Sequence, residues 1–369
     1  MKTFNKNSDG TARSAQSAPT RGPVDVTVAQ LTGFDEVIDV RSPGEFADDH
    51  IPGAINCPVL DDAQRAEIGT IYKQVSSFDA KKAGAVLVSE NIARHLRERF
   101  HDKPRDWRPL VYCWRGGGRS GALAHVLTQV GWRVARLDGG YKAYRRAVIA
   151  DLDTLPARFN WHVVCGMTGA GKSRLLGALH EAGAQVLDLE GLAAHRGSVL
   201  GNLPDAPQPP QKLFESLVWH ALLGFDPARP VFVESESKKV GKLRVPEALI
   251  AAMWAGTPLV LDATMPVRVT LLKEDYAHFL QNPALLSAQL DCLVDLHGRD
   301  VITHWHTLVR EQRWDELTEA LLVRHYDPSY TRAINKHYAT LDRAPVVTAT
   351  DTQPATFRQL AETLIKTCN

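Results

Sequence analysis

The sequence lacks the features that define several large classes of protein. Its five cysteines are odd in number and show no Cys-x-x-Cys spacing, so neither a disulfide framework nor a zinc site is expected. No apolar run reaches membrane-spanning length and the first residues have no apolar signal core, which predicts a cytoplasmic protein. The formal net charge is only +1, so any nucleic-acid site must be a local basic patch.

What the sequence does contain indicates two globular domains. Hydrophobic residues make up 44% and charged residues 23% of 369 residues, which suits two full cores. Residues 1–22 are rich in small polar residues and are predicted to form a disordered tail. We predict domains at residues 23–150 and 151–369, because Leu155 and Pro156 break a helix that begins at Tyr141.

Apolar periodicity predicts parallel α/β sheets in both domains. In the first domain, strands are expected at 37–40, 110–113 and 133–137, and helices at 90–100 and 120–130. The apolar run at 85–88 fits either a strand or part of a helix. In the second domain, five apolar runs predict a doubly wound P-loop sheet, at 163–165, 185–188, 231–234, 259–262 and 345–348. Residues 201–211 contain four prolines and are predicted to be a loop.

The first candidate site is a glycine-rich loop, Cys-Trp-Arg-Gly-Gly-Gly-Arg-Ser, that begins at Cys113. Three successive glycines let backbone amides converge on the sulfur, while two arginines and the following helix N-terminus favour a thiolate. The predicted catalytic residue is therefore Cys113. The loop residues predicted to hold a transferred group are Arg115, Gly116, Gly117, Gly118, Arg119 and Ser120. Cysteine phosphatases share the Cys-x5-Arg spacing, so dephosphorylation also stays open.

The second candidate site is the run 166–173, which fits the pattern GxxxxGK[ST] at every required position. An apolar strand precedes it and a periodic helix follows, as a phosphate-binding loop requires. Lys172 would add a charge to the backbone amides, and Ser173 could hold Mg²⁺. The predicted phosphate-binding residues are Gly166, Thr168, Gly169, Ala170, Gly171, Lys172 and Ser173. The pattern predicts phosphate binding and leaves ATP hydrolysis open.

Polar residues follow two strands of the predicted P-loop sheet, at the edge where such sheets bind ligands. The substrate-binding candidates are Asp188, Glu190, His195, Arg196, Glu234, Ser235 and Ser237. Glu234 and Asp262 each end a strand, and the sequence does not decide which one faces the phosphate. A solvated loop is the alternative for residues 234–241. We assign His304, Trp305, His306 and Trp314 to helix packing, and Cys57 to the protein interior.

The segments around the cysteine loop resemble the rhodanese family. Val-Ile-Asp-Val-Arg-Ser-Pro-Gly-Glu-Phe at 37–46 and His-Ile-Pro-Gly-Ala-Ile-Asn at 50–56 resemble its opening signature, and Leu-Asp-Gly-Gly-Tyr at 137–141 resembles its closing segment. The resemblance implies that Asp39 and Arg41 organise the loop rather than catalyse. The cysteine loop is one residue longer than in most sulfur-transferring rhodaneses, which leaves room for a larger group than sulfur.

The chain from about residue 24 onward resembles the tRNA 2-selenouridine synthases. The motifs are Cys-Trp-Arg-Gly-Gly at 113–117, Asp-Leu-Glu-x-Leu-Ala-x-His-Arg-Gly-Ser at 188–198 and His-Tyr-Asp-Pro-Ser-Tyr at 325–330. The resemblance implies exchange of sulfur for selenium in wobble 2-thiouridine of tRNA, with selenophosphate as donor and an S-geranylated intermediate made from geranyl diphosphate. It implies a Cys113 perselenide, a P-loop that holds geranyl diphosphate or selenophosphate, and a selenophosphate-supplying enzyme as a partner.

Basic residues supply candidates for contact with tRNA, although each also fits an ordinary solvated surface. The preferred group is Lys238, Lys239 and Lys242. The other candidates are Arg244, then Arg145 and Arg146, and then Arg94, Arg97 and Arg99. Two other functions remain open. One is an ATP-dependent sulfurtransferase acting through a Cys113 persulfide. The other is a regulatory P-loop module without catalysis, which the intact Cys113 and Lys172 disfavour.

Overall fold

The computed structural model describes residues 22–198, 200–204, 206–338 and 341–368. Nearly all of the predicted disordered tail thus lies outside the described residues. The chain divides into two compact units. The first contains the described residues up to Ser42 together with Ile55–Tyr141, and the second contains Pro43–Ala54 together with the chain from Lys142 onward.

The first unit contains a five-stranded parallel sheet in the order β1-β5-β4-β2-β3. Its strands are β1 (Val24–Val26), β2 (Glu36–Asp39), β3 (Ile55–Asn56), β4 (Pro109–Tyr112) and β5 (Ala135–Leu137). The helices that start in residues 22–141 are α1 (Pro43–Asp48, in the second unit), α2 (Asp62–Gln74), α3 (Ser77–His95), α4 (Gly118–Val130) and α5 (Gly140–Leu152). Strand β4 is buried along its whole length, so the chain leaving it enters α4 from the middle of the sheet.

Helix α3 settles the ambiguous run at 85–88, which is helical. Leu96–Phe100 continues α3 as a π-helical turn, so the helix predicted over 90–100 ends in wider geometry. Strand β5 is shorter than predicted, because its pairing with β1 and β4 begins only at Ala135. Apolar side chains of the sheet and of α4, among them Val111 and Leu123, form the core of this unit.

The second unit contains a five-stranded parallel sheet in the order β12-β11-β6-β8-β7, and a separate hairpin β9–β10. The strands are β6 (Asn160–Cys165), β7 (Gln185–Leu187), β8 (Pro230–Glu234), β9 (Lys239–Val240), β10 (Leu243–Arg244), β11 (Thr257–Ala263) and β12 (Val346–Ala349). All five predicted strands are present. The order places β6, which leads into the P-loop, between β8 and β11.

Helices surround this sheet and continue into a helical region. They are α6 (Lys172–Glu181), α7 (Leu189–Leu192), α8 (Gln211–Leu223), α9 (Glu247–Trp254), α10 (Met265–Asp275), α11 (Ala277–Gln281), α12 (Pro283–Asp291), α13 (Val294–His297), α14 (Arg299–Arg310), α15 (Trp314–Leu321), α16 (Asp327–His337) and α17 (Pro354–Cys368). A π-helical turn, Leu322–Tyr326, joins α15 to α16. Within the described ranges, no helix combines the length and apolarity needed to cross a bilayer.

The helical region has its own hydrophobic core, built from α11, α12, α14 and α15. Trp305 is fully buried there, which agrees with its assignment to helix packing. The neighbouring His304 is exposed and His306 is half-buried, with its ring nitrogen 2.8 Å from the carboxylate of Asp291. This second core means that the P-loop sheet is bordered by an apolar helical layer in addition to its own helices.

Candidate active sites

Cys113 directly follows β4 and lies beside the first turn of α4. Its sulfur is 3.2 Å from the hydroxyl oxygen of Ser120. Burial opposes ionisation of the thiol, but hydrogen bonds from the Ser120 side chain and from the amides of Ser120 and Arg115, with the charge of Arg119, lower its pKa overall. The lowered pKa favours the thiolate, which is the nucleophilic and group-carrying form of cysteine.

The glycines of the cysteine loop serve two different purposes. Gly116 has φ +67°, and a Cβ there would lie 2.9 Å from the carbonyl oxygen of Leu137. At Gly117 and Gly118, a Cβ would meet no described atom within 4 Å. The loop is therefore fixed on its inner side and open on its outer side. An open outer side is compatible with the larger transferred group predicted from loop length.

Asp39 and Arg41 lie beneath this loop as a fully buried ion pair. The Arg41 guanidinium carbon is 3.9 Å from the ring centroid of Tyr141, whose backbone N–H donates to the carbonyl of Cys113 at 2.8 Å. The Asp39–Arg41 pair therefore positions Tyr141, and the backbone of Tyr141 in turn positions Cys113. Its burial supports the expected organising role.

The P-loop connects β6 to α6, and its glycines are required by close packing as well as by backbone geometry. Gly169 has φ +80° and Gly171 has φ +92°. A Cβ at Gly169 would lie 2.8 Å from a methyl group of Leu272, and one at Gly171 would lie 2.7 Å from the ring of Phe357. Backbone amides therefore remain at the N-terminus of α6, where anions bind.

Lys172 and Ser173 are both engaged by groups of the protein. The Lys172 side chain is half-buried, and its ammonium donates to the carbonyl of Gly166 at 2.7 Å. Burial lowers the pKa of Lys172, and the nearby carboxylates of Glu190 and Glu236 oppose that effect. The Ser173 hydroxyl donates to a carboxylate oxygen of Glu190 at 3.0 Å. Both side chains thus lie where a phosphate ligand could exchange these contacts for its own.

Glu234, rather than Asp262, is buried beside the P-loop. Glu234 is paired in register with Val164 of β6 and accepts the backbone N–H of Glu190 at 2.9 Å, whereas Asp262 is exposed. Its second carboxylate oxygen is buried and has no hydrogen-bond partner among the described residues. Burial, with the negative charge of Glu236, raises the pKa of Glu234 well above its usual value.

Glu236 belongs to the same acidic group, although sequence reasoning did not select it. Burial first, and the charge of Glu190 second, raise the pKa of Glu236 to about 7. Burial likewise raises the pKa of Glu190. The signal for Glu236 was present in the polar run after β8, where it stands two residues beyond Glu234. The structure shows that the run folds back toward Lys172, which its composition could not reveal.

The remaining predicted substrate residues divide into local and open positions. Asp188 caps α7 by accepting the N–H of Gly191 at 2.8 Å, and the Ser237 hydroxyl donates to the carbonyl of Lys239 at 2.7 Å. Ser235 follows β8 and donates its backbone N–H to Val164. The contacts of Asp188 and Ser237 account for these two side chains without a ligand, whereas the buried Ser235 hydroxyl has no hydrogen-bond partner among the described residues.

His195 and Arg196 follow α7 and differ in their surroundings. The His195 ring is buried so tightly that a Cβ at Gly201 or Gly241 would lie 2.8 Å from it. The Arg196 guanidinium carbon lies 5.4 Å from the ring centroid of Tyr276, and its buried Nε has no hydrogen-bond partner in the described chain. The Nδ1 of His195 is likewise buried without a hydrogen-bond partner in the described chain, so each of the two residues retains a nitrogen that a ligand could use.

Two further residues hold the P-loop and were missed in the sequence. Arg268 donates from Nε to the carbonyl of Thr168 at 2.9 Å and forms a two-pronged ion pair with Asp327. The Tyr330 hydroxyl accepts the backbone N–H of Gly166 at 2.6 Å. Asp327 and Tyr330 belong to the motif at 325–330, which was recognised by resemblance without a role. Nothing in the sequence pointed to Arg268.

An apolar cavity opens beside the P-loop. Thr168 of the P-loop lines one part of it, together with Ser198, whose hydroxyl is 3.2 Å from that of Tyr276. Apolar side chains from α10 to α12 and from α15 form most of the remaining wall, among them Leu272, Phe279, Leu280, Leu286, Trp314 and Leu317. Trp314 was assigned to helix packing and in fact also borders this cavity. The phosphate loop and an apolar chamber thus share an edge.

The predicted RNA contacts fall on differently occupied surfaces. Lys238 lies 5.5 Å from the ring of Trp254, which stacks on His337 with a centroid distance of 3.8 Å. Lys239, Lys242 and Arg244 are exposed on or beside the β9–β10 hairpin. Arg146 is exposed, whereas Arg145 forms an ion pair with Glu215. Arg94, Arg97 and Arg99 are exposed at the end of α3. Exposure alone therefore does not separate the lysine group from the arginines at the end of α3, and the choice between them stays a prediction.

The fold and the two loops define a class of protein in which a rhodanese-like domain precedes a P-loop domain. Family models match accordingly: the rhodanese-like domain matches residues 26–147, and the tRNA 2-selenouridine synthase AAA domain matches residues 159–292. The chain belongs to the tRNA 2-selenouridine synthase family. The predicted resemblance and fold class are therefore confirmed.

Two relatives that carry the family's name support this assignment, and one solved structure aligns with part of the chain. The tRNA 2-selenouridine synthase of Hydrogenovibrio crunogenus is 35% identical over 342 residues, covering 83% of this chain and 91% of that protein. The enzyme of the same name from Nitrosomonas europaea is 35% identical over 260 residues, covering 69% of this chain and 66% of that protein. A rhodanese-related protein from Thermoplasma volcanium aligns with 33% of this chain and 91% of its own, at 22% identity and a TM-score of 0.22.

Proposed function

We propose that the protein is a transferase that replaces sulfur by selenium in the wobble 2-thiouridine of tRNA. Its relatives carry the name of that activity. The observation that carries the proposal is the Cys113 thiol, whose pKa is lowered in a glycine loop open on its outer side. Such a thiolate suits a chalcogen carrier that must present selenium to a bulky nucleoside. Because the substrate is tRNA, the protein would act in the cytoplasm.

We further propose that the P-loop binds geranyl diphosphate. The diphosphate would lie against the amides of the P-loop and Lys172, and the apolar cavity that begins at Thr168 would receive the hydrocarbon chain. A nucleotide would place a polar base and ribose in that position, where the walls from α10 to α12 offer few polar partners. The cavity therefore favours a prenyl diphosphate over ATP, and also over selenophosphate, which has no apolar part.

The chemistry proceeds through two displacements. In the first, the thiocarbonyl sulfur of the nucleoside forms a bond to the first carbon of the geranyl chain, the carbon–oxygen bond breaks, and diphosphate leaves. Lys172 and the amides of the P-loop stabilise the charge of the departing diphosphate. In the second, at the cysteine loop, the selenium of selenophosphate forms a bond to carbon 2 of the base and geranylthiol leaves. Water then attacks phosphorus, the selenium–phosphorus bond breaks, and phosphate leaves. Alkylation is useful because a thioether sulfur leaves more readily than a thiocarbonyl sulfur.

The site also fits Mg²⁺ bound together with the diphosphate. Among the described residues no cluster of three or more histidine, cysteine or acidic side chains could form a metal cage. Mg²⁺ at phosphate sites commonly takes one or two protein oxygens and obtains the rest from phosphate and water. The Ser173 hydroxyl would supply such a ligand, and the unpartnered oxygen of Glu234 could accept from a coordinated water. When bound, the ion would neutralise part of the diphosphate charge.

The proposal is tested by nucleoside mass spectrometry of bulk tRNA from cells with and without the gene, grown with selenite. We expect 2-selenouridine only when the gene is present. Purified protein given geranyl diphosphate and a 2-thiouridine hairpin RNA should form S-geranyl-2-thiouridine, and further addition of selenophosphate should convert that product. Equal 2-selenouridine in both strains would refute the proposal. A sulfurtransferase acting through a Cys113 persulfide would instead change the content of 2-thiouridine.

A further inference from the structure

Trp114 is an exposed aromatic residue in the loop that carries Cys113. Its side chain is 40% exposed, although it directly follows a cysteine that is only 3% exposed. Its indole lies 5.2 Å from the ring of Tyr141, with an angle of 31° between the planes. A single exposed ring is ordinary on a protein surface, so the significance of Trp114 lies in its position beside Cys113 and against Tyr141.

The position of Trp114 is fixed from beneath. Tyr141 is 4% exposed and lies against the Arg41 guanidinium, which the buried carboxylate of Asp39 holds in turn. The backbone N–H of Tyr141 donates to the carbonyl of Cys113, and a Cβ at Gly140 would lie 2.2 Å from that same carbonyl. The aromatic stack and the reactive cysteine therefore share one rigid support. A ligand stacked on Trp114 would have a defined position relative to the sulfur.

The surroundings of Trp114 suit a planar group attached to a polyanion. Arg115 next to it is exposed, and the space outside Gly117 and Gly118 is open. Unpaired RNA bases are bound in this manner, by stacking on aromatic rings while nearby cations contact the phosphates. An apolar protein partner would need more than one exposed ring, and the loop residues after Trp114 are glycines and arginines. The combination of one ring, cations and free space therefore favours a nucleobase.

We propose that Trp114 is the stacking platform for the nucleobase on which the chalcogen exchange takes place. The inference depends on the proposed function in one respect, namely that the stacked base is the base that reacts. The stack would hold the base over the cysteine loop, so that its carbon 2 comes within reach of the group carried by Cys113. Trp114 thereby contributes to affinity for the RNA through one base, and it does not take part in the bond changes.

A double-mutant cycle between protein and RNA tests this platform directly. Two hairpin RNAs are compared, one with 2-thiouridine and one with an abasic site at the wobble position, and their binding to the full chain is measured by fluorescence anisotropy. One stacked base contributes enough to change affinity by about tenfold. We expect the wild type to prefer the 2-thiouridine RNA by about that factor and Trp114→Ala to bind both RNAs equally. Trp114→Phe should retain most of the preference, because it keeps an aromatic face.

Controls separate stacking from damage to the loop. The rate at which iodoacetamide alkylates Cys113 should be unchanged in Trp114→Phe, which shows that the cysteine loop is intact. Phe78→Ala removes another exposed ring of the same unit and should leave the base preference as it is. A Trp114→Ala protein that still prefers the 2-thiouridine RNA by the wild-type factor overturns the proposal. Because the assay measures only binding, it gives an answer even if the protein proves not to transfer selenium.

Discussion

The cysteine loop and the P-loop both follow a central strand of a parallel sheet, yet they are electrostatic opposites. Around Cys113, the Ser120 hydroxyl, two backbone amides and the charge of Arg119 lower the pKa of the thiol, so the loop favours a negative charge that belongs to the protein. Around Lys172, buried carboxyl groups have raised pKa values, and Glu234 and Glu236 are the clearest cases. The cysteine loop stabilises its own thiolate in the absence of a ligand. The P-loop brings together carboxyl groups whose ionisation is opposed by burial and by their mutual repulsion, before any ligand binds.

This difference implies two different conditions for activity. The cysteine loop can function with its own hydrogen bonds alone, because its charge is compensated within the loop. If the proposed function is correct, the P-loop must reduce the repulsion between its carboxylates and an incoming diphosphate, either by taking up a proton or by admitting a divalent cation. The two loops should therefore respond differently to substitution, pH and metal.

The largest expected effect is the separation of the two half-reactions by Cys113→Ser. A hydroxyl is not ionised at neutral pH and cannot replace the thiolate, so selenium incorporation should fall by about 10³-fold or more. Formation of S-geranyl-2-thiouridine should continue at the wild-type rate if the two loops act independently. Mass spectrometry of the hairpin RNA measures both products, and Cys292→Ser provides an exposed-cysteine control. A loss of geranylation together with selenation would contradict the division of labour.

The reciprocal change, Lys172→Ala, should affect the first half-reaction. Charge-assisted hydrogen bonds contribute roughly 1.5–3 kcal/mol, so affinity for geranyl diphosphate should fall about 10- to 100-fold. Conversion of S-geranyl-2-thiouridine RNA that has been prepared beforehand should proceed unchanged. Calorimetry with geranyl diphosphate measures the first effect, and Lys366→Ala on the exposed side of α17 is the matched control. Unchanged affinity would remove the P-loop from prenyl binding.

Filling the apolar cavity should distinguish the hydrocarbon chain from the diphosphate. Leu280→Trp puts a larger side chain in the cavity wall and leaves less room for the hydrocarbon chain. If two methylenes of the ligand can no longer be buried, geranyl diphosphate binding would weaken by about tenfold. Inorganic diphosphate should bind as in the wild type, because the amides of the P-loop are untouched. Leu285→Trp, at an exposed position of the neighbouring helix, should change neither affinity. Equal weakening of both ligands would indicate distortion of the P-loop instead.

The acidic group predicts a pH dependence that the cysteine loop does not share. Glu236 has its pKa raised to about 7, and a bound diphosphate would raise it further, so binding takes up a proton. In buffer without divalent cations, affinity for inorganic diphosphate should weaken by about fivefold as pH rises through 7, where one pKa unit equals tenfold. Glu236→Gln carries no such charge and should show a smaller dependence than the wild type.

Comparing the two proteins removes the contribution of diphosphate itself, whose own protonation affects both equally. The charged groups that face Glu236 are Lys172, Glu190 and Glu234, and all of them remain in the variant. If the pH dependence is identical in the two proteins, Glu236 is not the group that takes up the proton. Addition of Mg²⁺ should reduce the dependence in the wild type, because the cation offers a second way to offset the carboxylates.

The sequence revealed each loop but not what surrounds it. Cys113 and Lys172 stand in patterns with local signatures, because a strand, a glycine-rich turn and a helix N-terminus follow one another along the chain. Arg268 and Tyr330 contact the P-loop from positions about 100 and 160 residues away, and no local pattern marks such contacts. In the helical region, the sequence predicted only helix packing for residues such as Trp314, so the cavity that Trp314 borders could not be predicted. Glu236 could not be predicted as a site residue, because it approaches Lys172 through the direction of the loop after β8, and the composition of that loop does not show its direction.

The smallest expected effect concerns the surface that brings tRNA to the P-loop unit. Lys238, Lys239 and Lys242 lie at or near the β9–β10 hairpin, which follows the acidic strand end at Glu234. Each exposed charge contributes little, so replacing all three by glutamine should weaken tRNA binding by only about threefold at physiological salt. The sharper measurement is the salt dependence, because every lost phosphate contact reduces the slope of log K against log salt by about 0.9.

Replacing Arg94, Arg97 and Arg99 instead gives a matched removal of three exposed charges. If that variant loses slope while the lysine variant does not, the RNA contacts the cysteine unit through α3. In that case only the reacting nucleoside of the tRNA, together with geranyl diphosphate, would come close to the carboxylates at the P-loop.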